Sequence, residues 1–586
     1  MFFWLGIVII SIVTIAVYAY VFDPKMEDLE DNHYYYLLGH SLADGQGFTN
    51  CDGYLHTQYP IGYPFIVSLC VRLGMGIVGM NMLNGVFLYL SVMLLYWTLF
   101  RISKNVIITF VVSLLIAMNY FYSAFATMML SDISSWFFGS ICVLLFSFLI
   151  EEREFNRKSI LILLGIAISA VITYFIRTAS AINMLAIFCA TALYIIIDLV
   201  KNRPISIKKV LNEHKLNITL LVAMAMFFFM GTMVWNNYKS QFEVTENTNY
   251  TFSGYMEVYG TNADGTPFDT KSISHWQNRL GENINAYTRL LSHTLYISHI
   301  DSVIPARSYD LAIGLIDRVA IYHLKDGLVL GVISLVFMAI GLVYYRKNKM
   351  ALLLFFIIAS VYGTLLIFNN LLYTSASRYI IGILPFMLLF LIAGITHSIR
   401  FILNKANSKS KLLSENNITI AVCIILFVFC YPHYSKALQI SHNYATIEHS
   451  TPYSDIDFDN EYTPQFVNFL AACQYAKQNL PDSANYATRK QRIFSIFSEK
   501  YKNSFPFPDF NSTPEEVIEY FDKWKIQYIL LDTWYSAAYH TIVPAIQQYP
   551  EKFNILQQIG GDIPNNINPT YIVQYNKNGF VETENK

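Results

Sequence analysis

The sequence predicts a polytopic α-helical membrane protein of about eleven transmembrane helices, with a small α/β domain at its C-terminal end. Three observations support this fold class. Of the 586 residues, 54% are hydrophobic and only 14% are charged, whereas an ordinary soluble domain has about 25% charged residues. Long apolar stretches recur along the first three quarters of the chain. Basic residues cluster in every second connection between those stretches.

Eleven apolar stretches are long enough to cross the roughly 30 Å hydrocarbon core of a bilayer. The first stretch, Phe2 to Phe22, is followed by acidic residues and has no Ala-x-Ala cleavage pattern, which indicates a retained span. A cleaved signal peptide is the alternative. The predicted spans are Phe2 to Phe22, Ile77 to Leu99, Val106 to Phe125, Ile133 to Ile150, Ile160 to Ile176, Ala181 to Ile197, Ile218 to Trp235, Leu328 to Tyr345, Leu352 to Phe368, Tyr379 to Ile395 and Ile418 to Tyr431.

The distribution of lysine and arginine predicts the topology, because basic loops stay on the cytoplasmic side. Basic clusters lie at 101–104, 153–158, 201–215, 346–349 and 400–411. Their alternation predicts a cytoplasmic N-terminus and extracytoplasmic loops at 23–76, 237–325 and 369–378. Residues 1–431 then form the transmembrane domain, and residues 432–586 form an extracytoplasmic domain.

The C-terminal region has the pattern of a small α/β domain. Thr463 and Pro464 begin an amphipathic helix, and the sequence from Thr513 to Glu516 is a capping box that opens another. The apolar run from Tyr528 to Asp532 is typical of a buried strand. Helices that alternate with short apolar strands predict an α/β fold for residues 432–586.

Composition excludes two classes of site. The formal net charge of −1 gives nucleic acid no electrostatic reason to bind. The seven cysteines are scattered, with no Cys-x-x-Cys pair and no histidine at metal-ligand spacing, so neither a zinc site nor a redox motif is predicted.

The most informative segment follows the first span. Carboxylates at Glu30 and Asp31 precede a tyrosine-rich stretch, which predicts a juxtamembrane helix from about Asn32 to Ala43 that ends near Gly45-x-Gly47. Asp31 then lies at the helix N-cap. Two roles stay open at this point: Asp31 caps the helix, or it is a base placed at the membrane surface.

This segment, followed by Tyr59-Pro60-Ile61-Gly62-Tyr63-Pro64, resembles the opening of the GT-C glycosyltransferases. It is similar to the lipid A aminoarabinose transferases and protein mannosyltransferases, the glycosyltransferase family 39-like members of that superfamily. Three further short motifs extend the resemblance over the membrane region: Met129-Leu130-Ser131-Asp132, Ile176-Arg177-Thr178, and Ser377-Arg378-Tyr379 with Leu384-Pro385.

The resemblance implies a GT-C fold and an enzyme that transfers a sugar from a polyprenyl-phosphate donor to a lipid, glycan or protein acceptor. It implies that an acid of the first loop activates the acceptor nucleophile. Asp31 is preferred for this role, and Glu30 is the alternative, since the register of the acidic pair is uncertain by one position. A hydroxyl that attacks an anomeric carbon must lose its proton, which agrees with a carboxylate base.

Asp132 is the third catalytic candidate. It orients the acceptor, holds a divalent ion such as Mg²⁺ or Mn²⁺ together with Asp31, or only caps the fourth span. Arg177 and Arg378 lie near membrane ends, where an ionised side chain needs an anionic partner; a lipid phosphate or an internal acid supplies one. The remaining substrate-binding candidates are Tyr35, Tyr379 and His56.

Two other functions are alternatives to sugar transfer from a polyprenyl-phosphate donor. A glycan polymerase or ligase of the cell envelope shares the many spans and the long 237–325 loop, but does not need the first-loop acids. A transporter is expected to show broken helices, midplane polar residues or an internal repeat, and the sequence shows none of them. The expected partners are a polyprenyl-phosphate sugar, membrane lipid and an acceptor, and the expected location is the bacterial inner (cell) membrane.

Overall fold

The structure is a computed structural model. It describes residues 1–24, 30–51, 53, 55–56, 59–152, 154–201, 213–241, 271–297, 327–368, 377–405, 414–445, 464–509, 512–532, 536–560 and 569–580. The helices are α1 (Phe2–Val21), α2 (Glu30–Ala43), α3 (Gly62–Arg72), α4 (Ile77–Ser103), α5 (Val106–Met118), α6 (Tyr120–Ala126), α7 (Ser131–Leu149), α8 (Arg157–Ile176), α9 (Ala181–Lys201), α10 (Lys215–Lys239), α11 (Ile273–Tyr296), α12 (Gly327–Tyr344), α13 (Lys349–Phe368), α14 (Ser377–Ile380), α15 (Leu384–Lys405), α16 (Glu415–Ala445), α17 (Pro464–Asn479), α18 (Gln491–Phe497), α19 (Pro514–Lys523) and α20 (Ser536–Gln548). The strands are β1 (Asn485–Thr488), β2 (Ser504–Phe505), β3 (Ile526–Asp532), β4 (Phe553–Ile559) and β5 (Thr570–Tyr575).

The helix lengths confirm the predicted membrane protein of about eleven spans. Among the described residues, ten helices are long and apolar enough to cross a bilayer, and the bent pair α5 and α6 makes an eleventh. The large apolar side chains that these helices leave exposed, such as Ile12, Phe229 and Ile425, are those expected to face lipid.

The third predicted span is broken. Helices α5 and α6 meet at an angle of 53°, and Asn119 lies between them. Its side-chain oxygen accepts a hydrogen bond from the N–H of Phe121 and so caps α6. Its amide donates to the carbonyl of Thr294 at 2.9 Å and to the hydroxyl of Tyr434 at 3.1 Å. One asparagine therefore ties the break to α11 and α16.

The tenth predicted span, Tyr379 to Ile395, was placed too early in the chain. The long helix α15 begins at Leu384 and ends at Lys405, while α14 is a separate short helix. Pro385 lies in the first turn of α15, where a missing N–H costs no hydrogen bond, so the proline favours a helix start at this point. Tyr379 consequently lies before the span and not inside it, in the same short helix as Arg378.

Two glycines allow α12 and α15 to cross with their backbones in contact. A β-carbon at Gly341 would lie 1.9 Å from the carbonyl oxygen of Phe390, and one at Gly394 would lie 1.8 Å from that of Phe337. Small residues at such crossings are a main source of helix association in lipid, where apolar burial between helices gains little. The crossing anchors α15, the helix that follows Arg378 in the chain.

The C-terminal strands form the predicted α/β unit. The sheet order is β2-β1-β3-β5-β4; β1 is parallel to β2 and β3, whereas β5 is antiparallel to β3 and β4. One face, with Tyr486 and Leu530, packs under α17 and α18 and joins the core of the helical bundle. The other face packs on α19 and α20. The predicted capping box is present, since Thr513 accepts from the N–H of Glu516 and the Glu516 carboxylate accepts from the N–H of Thr513.

The α/β unit rests on the first loop of the bundle. Helix α18 packs against α2, and the His40 ring stacks on Tyr501 with centroids 5.2 Å apart. The N–H of Ser504, on β2, donates to the carbonyl of Cys51 at 3.4 Å. Helix α16, which leads toward this unit, continues through position 431 to Ala445. The end of the bundle that carries α2 is therefore covered by the α/β unit, and we call it the α2 end.

Candidate active site

Four charged side chains from four separate elements meet at the α2 end. Asp31 belongs to α2, Asp132 to the first turn of α7, Arg177 directly follows α8, and Arg378 belongs to α14. Arg378 joins the two acids: its Nη1 is 2.6 Å from Asp31 Oδ2, and its Nε is 2.7 Å from Asp132 Oδ2. Arg177 Nη1 pairs with the other oxygen of Asp132. We call these four residues the charge cluster.

Burial differs among the members of the charge cluster. The Asp132 side chain is 2% exposed, and the side chains of Arg378 and Arg177 are 11% and 15% exposed, whereas that of Asp31 is 27% exposed. A buried charge is tolerated only when it is paired. Asp132, with an arginine on each oxygen, is thus the counterion that allows both guanidinium groups to be buried. Asp31 is the acid that an acceptor can reach.

Local backbone structure explains why Asp31 and Asp132 are placed this way. Helix α2 includes Asp31, so the expectation that Asp31 is the N-cap before the helix is wrong; acids also suit a first turn, because the helix dipole is positive there. The sequence alternative that Asp132 caps the fourth span is wrong too. The N-cap of α7 is Leu130, and the Asp132 carboxylate lies in the first turn with the arginines as partners.

Tyr59 is the second partner of Asp31 and was not predicted as a site residue. Its hydroxyl donates to Asp31 Oδ1 at 2.5 Å. Burial alone would raise the pKa of Asp31, but Arg378, the Tyr59 hydrogen bond and Arg177 together hold that pKa below its usual range. Burial and the neighbouring carboxylate raise the pKa of Tyr59, so the phenol keeps the proton that it donates. Asp31 is therefore an ionised carboxylate at neutral pH.

The two tyrosines predicted to bind substrate have different surroundings. Tyr35 is buried, and its hydroxyl shares a hydrogen bond with that of Ser131 at 3.0 Å, which links α2 to the start of α7. Tyr379 is 37% exposed, and its ring centroid is 5.1 Å from the Arg177 guanidinium carbon, within cation–π range. Tyr379 thus presents an aromatic surface beside the charge cluster, whereas the Tyr35 hydroxyl serves the packing.

His56, the other predicted contact, is buried with both ring nitrogens engaged. Nε2 accepts from the N–H of Tyr59 at 2.9 Å, so Nδ1 carries the proton and donates to Asn50 Oδ1 at 2.7 Å. Burial, reinforced by the charge of Arg492, lowers the pKa of His56 to about 3. The imidazole is neutral at physiological pH and fixes the backbone of Tyr59.

The expected divalent-ion site does not fit this arrangement. The guanidinium of Arg378 lies between Asp31 and Asp132 and contacts an oxygen of each, in the position that a shared ion would occupy. Within the described part of the chain, no group of three or more His, Cys, Asp or Glu side chains is arranged to hold a metal ion. The side chain of Glu30, the alternative base, lies outside the described residues.

Several solved structures are similar to this chain over most of its length. ArnT from Cupriavidus metallidurans bound to undecaprenyl phosphate matches with a TM-score of 0.55 and 9% identity, over 97% of this chain and 97% of that one. Archaeal oligosaccharyltransferase AglB from Archaeoglobus fulgidus, in complex with an inhibitory peptide and a dolichol-phosphate, matches with a TM-score of 0.50 and 11% identity, over 94% of this chain and 72% of that one. An A. fulgidus oligosaccharyltransferase complex with Zn and sulfate matches with a TM-score of 0.50 and 10% identity, over 95% of this chain and 72% of that one.

No protein-family model and no curated protein sequence matches the chain. At identities of 9% to 11%, the likeness to these structures is one of fold. It extends over nearly the whole chain, from the helical bundle to the C-terminal sheet. The chain therefore has the GT-C fold of the membrane glycosyltransferases that its sequence motifs resemble.

Proposed function

We propose that this protein transfers a sugar from a polyprenyl-phosphate donor to an acceptor at the α2 end of the bundle, by an inverting displacement with Asp31 as general base. The observation that carries the proposal is the charge cluster. It combines one accessible carboxylate with two buried arginines, at the surface where a lipid-linked donor would arrive. That solved structures of the same fold bind undecaprenyl phosphate and dolichol-phosphate supports the donor class.

The proposed reaction needs one proton acceptor and one anion-binding group. The acceptor hydroxyl attacks the anomeric carbon, the bond from that carbon to the phosphate oxygen breaks, and the hydroxyl proton moves to Asp31. An ionised Asp31 is ready for this step, because its lowered pKa keeps it deprotonated. The leaving group is the polyprenyl phosphate, whose negative charge must be stabilised as the bond breaks.

Arg378 and Arg177 are the groups proposed to bind that phosphate. A guanidinium has five N–H donors, and the contacts of Arg378 with the two acids use Nε and Nη1. Donors on the remaining nitrogen atom suit a phosphate oxygen. Asp132 is proposed to hold both arginines in place, and the aromatic surface of Tyr379 to line the sugar subsite. Tyr35 supports Asp132 through Ser131.

The positive charge of Arg378 also bears on metal dependence. Since a guanidinium already joins Asp31 and Asp132, we expect sugar transfer to survive EDTA. Loss of transfer in EDTA with recovery on adding Mn²⁺ or Mg²⁺ would instead show that a cation takes the place of Arg378 in the working enzyme.

The proposed orientation puts the α2 end on the extracytoplasmic side of a bacterial inner membrane. The basic connections at 201–215 and 400–411 support it, because basic loops resist translocation. Cysteine-accessibility labelling in intact cells tests it. Single cysteines at Lys208 and Trp524 should react from opposite sides of the membrane, and reaction from the same side would refute the orientation.

The deciding experiment uses the full chain in lipid nanodiscs. Labelled polyprenyl-phosphate monosaccharides, and a polyprenyl-diphosphate oligosaccharide as the ligase-type alternative, are offered together with extracted membranes. We expect one monosaccharide donor to be consumed, with release of polyprenyl phosphate, and no consumption by Asp31→Asn. Asp44→Asn, which changes an exposed acid just after α2, is the matched control and should retain transfer. Consumption of the oligosaccharide donor alone would assign the protein to the ligase class.

A further inference from the structure

The α/β unit contributes a cation to the neighbourhood of Asp31. Arg492, on α18, lies over the ring of Tyr34, with its guanidinium carbon 3.2 Å from the ring centroid. A guanidinium over a tyrosine ring within about 6 Å is a cation–π pair, and such pairs are stronger when water is excluded. Tyr34 belongs to α2, three residues after Asp31, so the contact crosses from the α/β unit to the first loop.

Tyr34 in turn is one member of a compact aromatic group. Its ring centroid is 5.0 Å from His56 and 5.1 Å from Tyr59, and the His56 and Tyr59 rings stack 5.3 Å apart at an interplanar angle of 7°. We call these three residues the aromatic triad. His56 also fixes the backbone of Tyr59 through Nε2. The triad therefore holds Tyr59 from two directions, by its ring and by its main chain.

Tyr59 is the member of the aromatic triad that touches the charge cluster. Its hydroxyl donates to Asp31 Oδ1 at 2.5 Å, opposite the oxygen that pairs with Arg378. A continuous series of contacts thus runs from Arg492 through Tyr34 and Tyr59 to Asp31. The series consists of a cation–π contact, a tilted ring pair and a hydrogen bond, and in a closely packed interior displacement of one ring shifts the next.

We propose that Arg492 is a positioning residue for Asp31: it holds the aromatic triad in place, and the triad sets the hydrogen bond from Tyr59 to the carboxylate. This inference rests on the proposed function, because it concerns the accessibility and proton affinity of the proposed base. It gives the α/β unit a role in catalysis as well as in covering the α2 end. Arg492 itself does not touch substrate.

Several charged and titratable groups face Asp31, so a test must separate the effect of Arg492 from theirs. These groups are Arg378 on α14, with its second partner Asp132 on α7, Arg177 after α8, and Tyr59 with Tyr35. If Arg492 acts through Tyr59, its removal changes Asp31 only while the Tyr59 hydroxyl is present. If Arg492 acts by long-range charge, its removal changes Asp31 with or without that hydroxyl. If it only fastens the α/β unit, its removal lowers the folded fraction and leaves Asp31 unchanged.

The experiment measures kcat/KM against pH for the full chain in nanodiscs, with the donor identified by the transfer assay. The acidic limb of this profile reports the pKa of the essential base in the free enzyme. Tyr59→Phe removes a hydrogen bond to the ionised carboxylate, so the acidic limb should move upward by about one pH unit. Arg492→Leu and Tyr34→Leu should move it in the same direction, by about half a unit or more.

Conservative and double variants make the test decisive. Arg492→Lys keeps a cation over the ring and should leave the limb near its wild-type position, and Arg492→Leu in a Tyr59→Phe background should produce no further shift. Lys552→Leu is the matched control, since Lys552 lies over the Tyr549 ring in the same α/β unit; its profile should match the wild type. Thermal unfolding of each variant gives the folded fraction, and kcat/KM is calculated per folded protein.

Two results would overturn the proposal while the proposed function stands. An Arg492→Leu protein with an unmoved acidic limb, beside a Tyr59→Phe protein whose limb has moved, would reduce Arg492 to a structural contact. An additional shift in the double variant would indicate direct charge and not positioning. Failure of the proposed function is a separate outcome, since wild-type protein would then consume no donor.

Discussion

The two ends of the helical bundle both gather charges of both signs, but they do so in different ways. In the charge cluster, Arg378 and Asp31 are 347 residues apart along the chain, and the cluster members come from four elements. At the opposite end, a cavity of about 670 Å³ lies between the last turn of α7 and the ends of α9, α10 and α13. Helix α7 separates the two ends by about 28 Å, from its 19 residues at 1.5 Å each.

Each ion pair at the cavity end has one exposed partner. Lys158 pairs with Glu152 six residues away, and their side chains are 69% and 16% exposed. Glu151, which pairs with Arg101, is 58% exposed, and the Arg101 side chain is 14% exposed. Because one partner of each pair keeps most of its water, solvent screens the attraction. Such pairs contribute little, so their presence needs no functional explanation.

The charge cluster is the costly arrangement. Burying several ions requires desolvation of each, and a well-packed apolar replacement would often be as stable or more so. An arrangement that brings four ions together from distant segments is therefore better explained by chemistry than by stability. The distance along the chain and the burial of a charged pair therefore indicate a functional site better than the number of pairs does.

The largest effect is expected at Asp31. Asp31→Asn keeps the shape of the side chain but removes the proton acceptor, so we expect sugar transfer to fall by about 10² to 10⁴. Thermal unfolding should change little, since the side chain is partly exposed. Initial rates and unfolding midpoints of Asp31→Asn and Glu30→Gln, measured side by side, check this. Near-normal transfer by a folded Asp31→Asn protein, with loss in Glu30→Gln, would assign the base to Glu30.

The next effect is on stability, at Asp132. Asp132→Ala leaves Arg177 and Arg378 without their shared counterion in a buried site, so we expect a loss of about 3 to 5 kcal/mol. The control at the cavity end is Glu151→Ala, which should cost about 1 kcal/mol or less. Detergent-extracted unfolding midpoints compare the two. Equal losses at both positions would mean that the charge cluster is no more tightly coupled than an exposed pair.

The fold was largely predictable from sequence, because span length and hydropathy are local properties. The tenth span is instructive: Arg378 and Tyr379 precede an apolar run without a break in hydropathy, and only Pro385 marks the true start of the helix. The strand at Tyr528 and the capping box at Thr513 were likewise confirmed, since their signals lie within a few residues.

The site was predictable in its residues but not in its contacts. Short motifs selected Asp31, Asp132, Arg177 and Arg378, and an internal acid was one of the partners expected for the arginines. Which acid pairs with which arginine could not be predicted, because that depends on packing across hundreds of residues. Tyr59 lies in the motif from Tyr59 to Pro64, but one tyrosine among 42 is more often a packing residue.

A smaller effect with a defined pH window is expected at His56, which belongs to the α2 end but carries no charge. Its folded pKa of about 3 lies below the unfolded value of about 6.5. The unfolded chain therefore binds more protons between these values, and stability falls as pH drops through this window. Between pH 7 and pH 5 we expect a loss of about 2 kcal/mol.

Thermal unfolding of wild-type protein and His56→Gln at pH 7, 6 and 5 measures this term. Gln accepts and donates hydrogen bonds but does not titrate, so the variant should lose less stability on acidification than the wild type. Parallel pH dependence in the two proteins would show that other groups account for the acid sensitivity.

The smallest effect is expected for Lys158 and Glu152 at the cavity end, and it completes the comparison. Because Lys158 is largely exposed, water and salt screen its attraction for Glu152, so a double-mutant cycle of Lys158→Met and Glu152→Gln should give a coupling of about 0.2 to 1 kcal/mol. That coupling should shrink further at 1 M salt, where the Debye length is about 3 Å. The pair Arg177 and Asp132 gives the contrasting cycle: its partners are 15% and 2% exposed, so salt should leave its coupling nearly unchanged.

Sugar transfer should be the same in all three cavity-end variants, since neither Lys158 nor Glu152 lies near the charge cluster. A salt-resistant coupling above 2 kcal/mol between Lys158 and Glu152 would mean that a pair with one exposed partner holds as strongly as the buried cluster, and that burial does not distinguish the two ends of the bundle.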